Sequence, residues 1–132
     1  EAQPVPVSGK GEHILLVFRE SSRLSLVGNA LASQGYVPDL AIDGAAALRR
    51  WAETGTPAVV VVDSGITLFP AEDLLATMHG SGYTGPAIVI DDENAPFDAS
   101  LVPASMPLQR LRRPLDMGRL FEAVANALAG RS

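Results

Sequence analysis

Three short apolar runs constrain this chain more than any other feature: Ile14-Leu15-Leu16-Val17, Ala58-Val59-Val60-Val61-Val62 and Ala87-Ile88-Val89-Ile90. Each is continuous rather than alternating, as in a strand covered on both faces, and each is too short for a helix. The stretches between them carry helical spacing. Ser21 or Ser22 is placed to cap a helix whose Leu24, Val27 and Leu31 fall on one stripe, with Gly35 to end it. YVPDLA at 36–41 reads as a short strand, and Pro38 suits it to an edge. Asp43 is placed to cap a second helix carrying Ala47, Leu48 and Trp51, which closes near Gly55-Thr56-Pro57. A third helix is expected over about 71–79, followed by a turn from Gly80 to Gly85. Residues 91–107 hold Pro96, Pro103 and Pro107, which leaves room for a short helix at most. A last strand is expected at 108–112, and Asp116 is placed to cap a helix with Met117, Leu120, Phe121, Val124 and Leu128 on one face.

Strands alternating with helices imply βαβ units with right-handed crossovers. The fold class expected is α/β, a flavodoxin-like doubly wound (βα)5 sandwich with a five-stranded parallel sheet and an irregular fourth helix. The opening EAQPVPVSGKGE, rich in Pro, Gly and small polar residues, reads as a flexible linker over 1–12, with one domain over 13–130. The chain is expected to be a piece cut from a longer protein. Its 132 residues suffice for one real core, and its net charge of −5 argues against nucleic acid or anionic membrane as a bulk partner. With no cysteine there is neither a disulfide framework nor thiolate chemistry, which fits a cytoplasmic location. No apolar run approaches the ~18 residues of a membrane span, so no membrane contact is expected.

In doubly wound sheets ligands bind at the carboxyl ends of the strands. The residues there are Phe18 and Arg19, Asp63, Asp91 and Arg113. Several segments around them, HILLVFRESSRLSLVGNALASQGY, AIDGAAAL at 41–48, VVVVD at 59–63 and the terminal RRPLDMGRLFEAVANAL, resemble receiver (CheY-like) domains, the phosphoacceptor modules of response regulators and hybrid histidine kinases. The resemblance runs from His13 to Leu128. The 22 residues from Asp91 to Arg113 match the interval the family places between its hydroxyl residue and its lysine. The tail ahead of His13 resembles linkers preceding receivers in hybrid sensor kinases.

The resemblance implies a chemistry that can be followed residue by residue. A working receiver holds Mg²⁺ with two acids after its first strand and takes the phosphoryl group on an Asp after its third. A Thr or Ser after the fourth strand and a Lys before Pro after the fifth contact the phosphoryl oxygens. Here Asp63 stands at the phosphoacceptor position, but the acid pair has become Phe18 and Arg19, the hydroxyl Asp91, and the lysine Arg113. A guanidinium near the metal position repels a dication: each unit-charge pair at ~4 Å and an effective dielectric of about 20 is worth roughly 4 kcal/mol. Arg19 is therefore expected to replace the metal and tie down Asp63. Ionised Asp91 only accepts hydrogen bonds, and Arg113 could serve both aspartates through its fork. The expectation is a self-neutralising, degenerate pseudo-receiver pocket with no cofactor, which acts by protein–protein interaction with a histidine kinase or another signalling domain, in cis or in trans. This domain itself is not expected to be an enzyme, although its parent chain could be a histidine kinase.

Two alternatives stay open. In the first, Asp63 is a true phosphoacceptor, with Mg²⁺ held by Glu20 and Asp92 after a one-residue slip. In the second, Arg110, Arg112 and Arg113 form a small-anion or cyclic-dinucleotide sensor. In the favoured reading one of these arginines serves the pocket, while Arg110 and Arg112 are solvated on an interaction face. The family's switch aromatic on the fifth strand falls at Arg110. His13 and His79 lack metal-ligand spacing. Ser64 lacks the Gly-x-Ser-x-Gly context of a hydrolase nucleophile. Trp51 and Phe121 read as core, and the apolar loop Gly65-Ile66-Thr67-Leu68-Phe69-Pro70 as a cover for the pocket or a partner surface.

Overall fold

Each apolar run forms a strand. The computed structural model describes residues 11–66, 70–83, 85–91, 97–102, 107–112 and 116–129. In chain order these form β1 (His13–Val17), α1 (Ser21–Ser33), β2 (Val37–Ala41), α2 (Gly44–Thr54), β3 (Val59–Asp63), α3 (Ala71–Gly80), β4 (Ala87–Asp91), β5 (Leu108–Arg112) and α4 (Met117–Ala129). A 3-10 turn at Ala99–Leu101 is the one further helical element among the described residues. Residues 1–10 of the expected linker, the loop residues 67–69, and Pro96, Pro103 and Pro114 lie outside the described residues.

All strands are parallel, in the order β2-β1-β3-β4-β5. The chain steps from β1 outward to β2, then returns past β1 to β3, so the winding reverses between β1 and β3. This is the five-stranded doubly wound sheet expected of the sequence.

Side-chain alternation divides the core in two. Leu15, Val17, Val60, Val62, Ala87 and Val89 pack against α2 and α3. Ile14, Leu16, Val59, Val61, Ile88 and Ile90 pack against α1 and α4. Burial on both faces explains why these runs are continuously apolar. Trp51 and Phe121 are partly buried against the two clusters.

Local chemistry sets the helix ends. Asp43 caps α2 by accepting from the Ala46 N–H at 2.7 Å, and Asp116 accepts from the Gly118 N–H at 2.8 Å at the start of α4. The expected serine cap of α1 is not formed. Glu20 is the N-cap residue, with extended backbone and no side-chain cap, and Ser21 and Ser22 already lie inside the helix. The Glu20 carboxylate instead reaches Arg23 at 3.5 Å. Gly35 follows the α1 C-cap with φ of 90°, a conformation that favours glycine. At the β2 edge the Val37 N–H donates to Glu12 O at 2.8 Å, so the alternation directs the position of Pro38, which has no N–H, outward. On the inner side of that edge Asp39 is buried, its Oδ2 3.0 Å from His13 Nδ1. Among the described residues no helix is long and apolar enough to cross a membrane.

Candidate functional site

Asp63 closes the fully buried strand β3 and is itself 2% exposed. Its Oδ1 accepts from the Gly65 N–H at 3.1 Å, and its carbonyl oxygen accepts from the Ile66 N–H at 3.2 Å. The Ser64 N–H donates to Ile90 O at 3.0 Å, which ties this turn to β4. A buried carboxylate aimed into its own turn is well positioned and poorly presented to solvent.

Asp91 closes β4 and is committed to other partners. Alternation places it on the α2–α3 face with Ala87 and Val89, where Arg110 of β5 lies diagonally across from it. Its Oδ2 takes Arg110 Nε at 2.9 Å and Nη2 at 2.8 Å, and its Oδ1 takes the Phe97 N–H at 3.2 Å. Arg110 Nη2 also donates to Phe97 O at 3.1 Å, and the guanidinium lies 5.7 Å from the Phe97 ring centroid. Phe97 is 4% exposed. The three residues form a clasp in which the arginine bonds a carboxylate, a carbonyl and a π face together.

This arrangement corrects the sequence reading in several places. Phe18 is 0% exposed and continues the Ile14-Leu16 alternation into the α1–α4 core, so it is a core residue and does not line a pocket with Asp63. Arg19 is exposed, and no ion pair joins it to Asp63 among the described residues. The strand ends at Val17 and the chain bends into α1, which carries the guanidinium out to water where its hydration is kept. Arg110, expected to be solvated, is the partner of Asp91, while Arg112 is exposed as expected. Glu20 is exposed and turned toward Arg23. Arg113 and Asp92 lie outside the described residues. Sequence reasoning missed Phe97 altogether; its only signal was an aromatic standing in the proline-broken stretch after β4.

The sequence matches no protein-family model and no curated protein. Solved structures do match. A response regulator receiver domain from Clostridium thermocellum superposes with a TM-score of 0.81 at 21% identity, covering 91% of this chain and 96% of that one. A signal receiver domain from Pseudomonas fluorescens Pf-5 gives 0.77 at 22% identity, over 91% and 96%. The receiver domain of a Pseudomonas aeruginosa sensor histidine kinase, solved with magnesium coordinated in its active site cleft, gives 0.77 at 20% identity, over 90% and 98%. The chain has the receiver fold.

In a receiver fold with this topology Phe18, Arg19, Asp63 and Asp91 all belong to the carboxyl pole of the sheet, as the sequence reading required. The structure brings Asp91 together with Arg110 and Phe97 and leaves Arg19 apart. Among the described residues no group of three or more His, Cys, Asp or Glu is placed to hold a metal ion. A cleft of about 590 Å³ lies at the other pole, between Pro57, Tyr83, Pro86, Pro107, Gln109 and Asn126, remote from Asp63.

Proposed function

We propose that this chain is a receiver-like signalling module of a two-component phosphorelay, a pseudo-receiver that works by protein–protein contact with a histidine kinase or another signalling domain and without Mg²⁺-dependent phosphorylation. The observation that carries this reading is the commitment of Asp91, both of whose carboxylate oxygens are taken by Arg110 and Phe97. At this position the receiver resemblance calls for a hydroxyl that donates to a phosphoryl oxygen. An ionised carboxylate donates nothing, and its charge opposes a phosphoryl group.

The donor set after β1 does not fit the metal that receiver chemistry needs. Mg²⁺ demands near-octahedral oxygen ligation. Phe18 offers no oxygen and is buried, and Arg19 carries a fixed positive charge. The clasp also takes over both switch positions, the hydroxyl at Asp91 and the aromatic at Arg110, so a phosphoryl group on Asp63 would find neither moving part. One observation favours the phosphoacceptor reading, the retention of Asp63 at the end of the central strand. Incubation with acetyl phosphate and Mg²⁺, followed by intact mass measurement, separates the two. No phosphoryl adduct is expected. An adduct that Asp63→Asn abolishes would establish the phosphoacceptor instead.

A further inference from the structure

The cleft of about 590 Å³ at the amino pole has a lining that selects an apolar occupant. Pro57, Pro86 and Pro107 line it, each standing just ahead of a strand, β3, β4 and β5 in turn. None of the described lining residues is charged. Two of them are fixed in place by their own bonds. The Tyr83 hydroxyl donates to Pro86 O at 2.6 Å, and Gln109 Nε2 donates to Ala123 O at 2.9 Å. A proline has no N–H, so the three prolines cannot donate to a segment that passes over them. An occupant that needs no ladder fits this lining. A polyproline II segment makes no internal hydrogen bonds and docks in grooves that present an aromatic wall, as Tyr83 does here.

The chain carries such a segment within reach. Pro4-Val5-Pro6-Val7 is apolar, Ala2 to Gly9 is uncharged throughout, and each proline restricts φ before docking, which lowers the entropy lost on binding. Its attachment lies at the same pole. The Gly11 N–H donates to Gly35 O and the Ala58 N–H to His13 O, both at 2.8 Å, which holds Gly11 at the amino end of the sheet, two residues ahead of β1. From β1 to midway between β4 and β5 is two and a half strand spacings, about 12 Å. The four residues from Val7 to Gly11 span up to about 14 Å, so Ser8-Gly9-Lys10 is long enough to bring Val7 to the cleft. Four residues of polyproline II then extend about 12 Å across it. A tether this short gives an effective concentration on the order of millimolar, which a second copy at micromolar concentration does not match.

We propose that Pro4-Val5-Pro6-Val7 docks in the amino-pole cleft of its own chain as a polyproline II strap, with Ser8-Gly9-Lys10 as the tether. Docking fixes the direction in which the chain enters β1. The inference goes beyond the proposed function and does not depend on the state of Asp63 or of the Asp91–Arg110 clasp.

The chain has no cysteine, so disulfide trapping reads the strap directly. Asn126 on the cleft and Ser33 near the Gly11 anchor are both exposed, at positions where the fold should tolerate substitution. Ser33 stands two residues before Gly35, the partner of Gly11, so an undocked tail meets it at least as often as it meets Asn126. Val7→Cys is paired in the full chain with Asn126→Cys or with Ser33→Cys, equilibrated in a glutathione buffer and read by intact mass. The Asn126 pair is expected to close its intramolecular disulfide with an equilibrium constant about tenfold or more above that of the Ser33 pair. Val5→Asp added to both should remove that preference. In the unsubstituted chain, nuclear Overhauser contacts are expected from the Val5 or Val7 methyls to Pro107. Equal closure of the two pairs, a preference that survives Val5→Asp, or no methyl contact at the cleft would overturn the proposal. Asn126 disulfides that join two chains in place of one would assign the cleft to a second copy, and so would also overturn it.

Discussion

The Asp91–Arg110 pair should show a measurable coupling in a double-mutant cycle. In isolation a pair at 2.8 Å is strong, about 4 kcal/mol of Coulomb attraction at ~4 Å between charge centres and an effective dielectric near 20. The Arg110 side chain is 43% exposed and that of Asp91 18%, so solvent screening and desolvation remove much of this. A net coupling of about 1–1.5 kcal/mol remains, above the ~1 kcal/mol ceiling of fully exposed pairs because Nε and Nη2 both bond Asp91 Oδ2 and the Asp91 side chain is largely buried. Arg110→Ala should then cost about 1–2 kcal/mol. Asp91→Ala should cost about 2–3 kcal/mol, since it also leaves the Phe97 N–H without its acceptor. The double variant should be little worse than Asp91→Ala alone. Urea unfolding reads all three as changes in midpoint at constant slope. Additivity of the single effects within about 0.3 kcal/mol would mean that the two side chains are not coupled, because uncoupled residues add to that precision.

Three other measurements probe the core, a tight turn and a surface carboxyl. Phe18→Ala should cost about 3–5 kcal/mol as a core truncation, while Arg19→Asp at the next position should change stability by less than about 0.5 kcal/mol; thermal unfolding compares the two, and a tolerated Phe18→Ala would remove Phe18 from the core. A Cβ built on Gly85 would lie 2.7 Å from the Tyr83 hydroxyl oxygen and 2.8 Å from two ring carbons, so Gly85→Ala should displace a fully buried ring that bonds Pro86 O and cost about 1–3 kcal/mol. An unchanged urea midpoint would contradict that packing. The Ser100 hydroxyl and N–H hold the Asp98 carboxyl below its ordinary 3.8. A carboxyl lowered in the folded state contributes stability above its unfolded pKa, and that contribution is lost as pH falls through the folded value. In a carbon-detected NMR titration Asp98 should therefore titrate below the usual range in the parent and move upward in Ser100→Ala; coincident titration curves would show that the serine does not hold it.

The sheet was legible because burial on both faces leaves an unmistakable mark. Val59 to Val62 must be covered above and below, and only a parallel sheet between helical layers does that. The caps at Asp43 and Asp116 were equally plain, since each side-chain oxygen stands where a free helix N–H needs an acceptor. The α1 cap misled because a serine pair is a strong signal, yet the chain enters that helix one residue earlier, at Glu20. The site was legible in its membership and less so in its pairing. Phe18 could have been placed from parity alone, since it continues the Ile14-Leu16 series into the core. Arg19 was paired with Asp63 on charge, but hydration and the bend into α1 take it to solvent. The Asp91–Arg110 pair depends on the β4–β5 register, which puts Arg110 one diagonal from Asp91, and no local pattern in the sequence states that register. Phe97 lay hidden because an aromatic among prolines carries no period.

The proposed pseudo-receiver takes neither Mg²⁺ nor a phosphoryl group at the pole around Asp63. An amide NMR titration with millimolar Mg²⁺, followed by beryllofluoride as a phosphoryl mimic, tests it most directly, with Asp63, Asp91 and β5 as reporters. Neither addition is expected to give a saturable shift, and the Asp91–Arg110 clasp should stay closed throughout. Saturable shifts centred on Asp63, with loss of the Arg110 contact on adding beryllofluoride, would contradict it and make this chain a working phosphoacceptor.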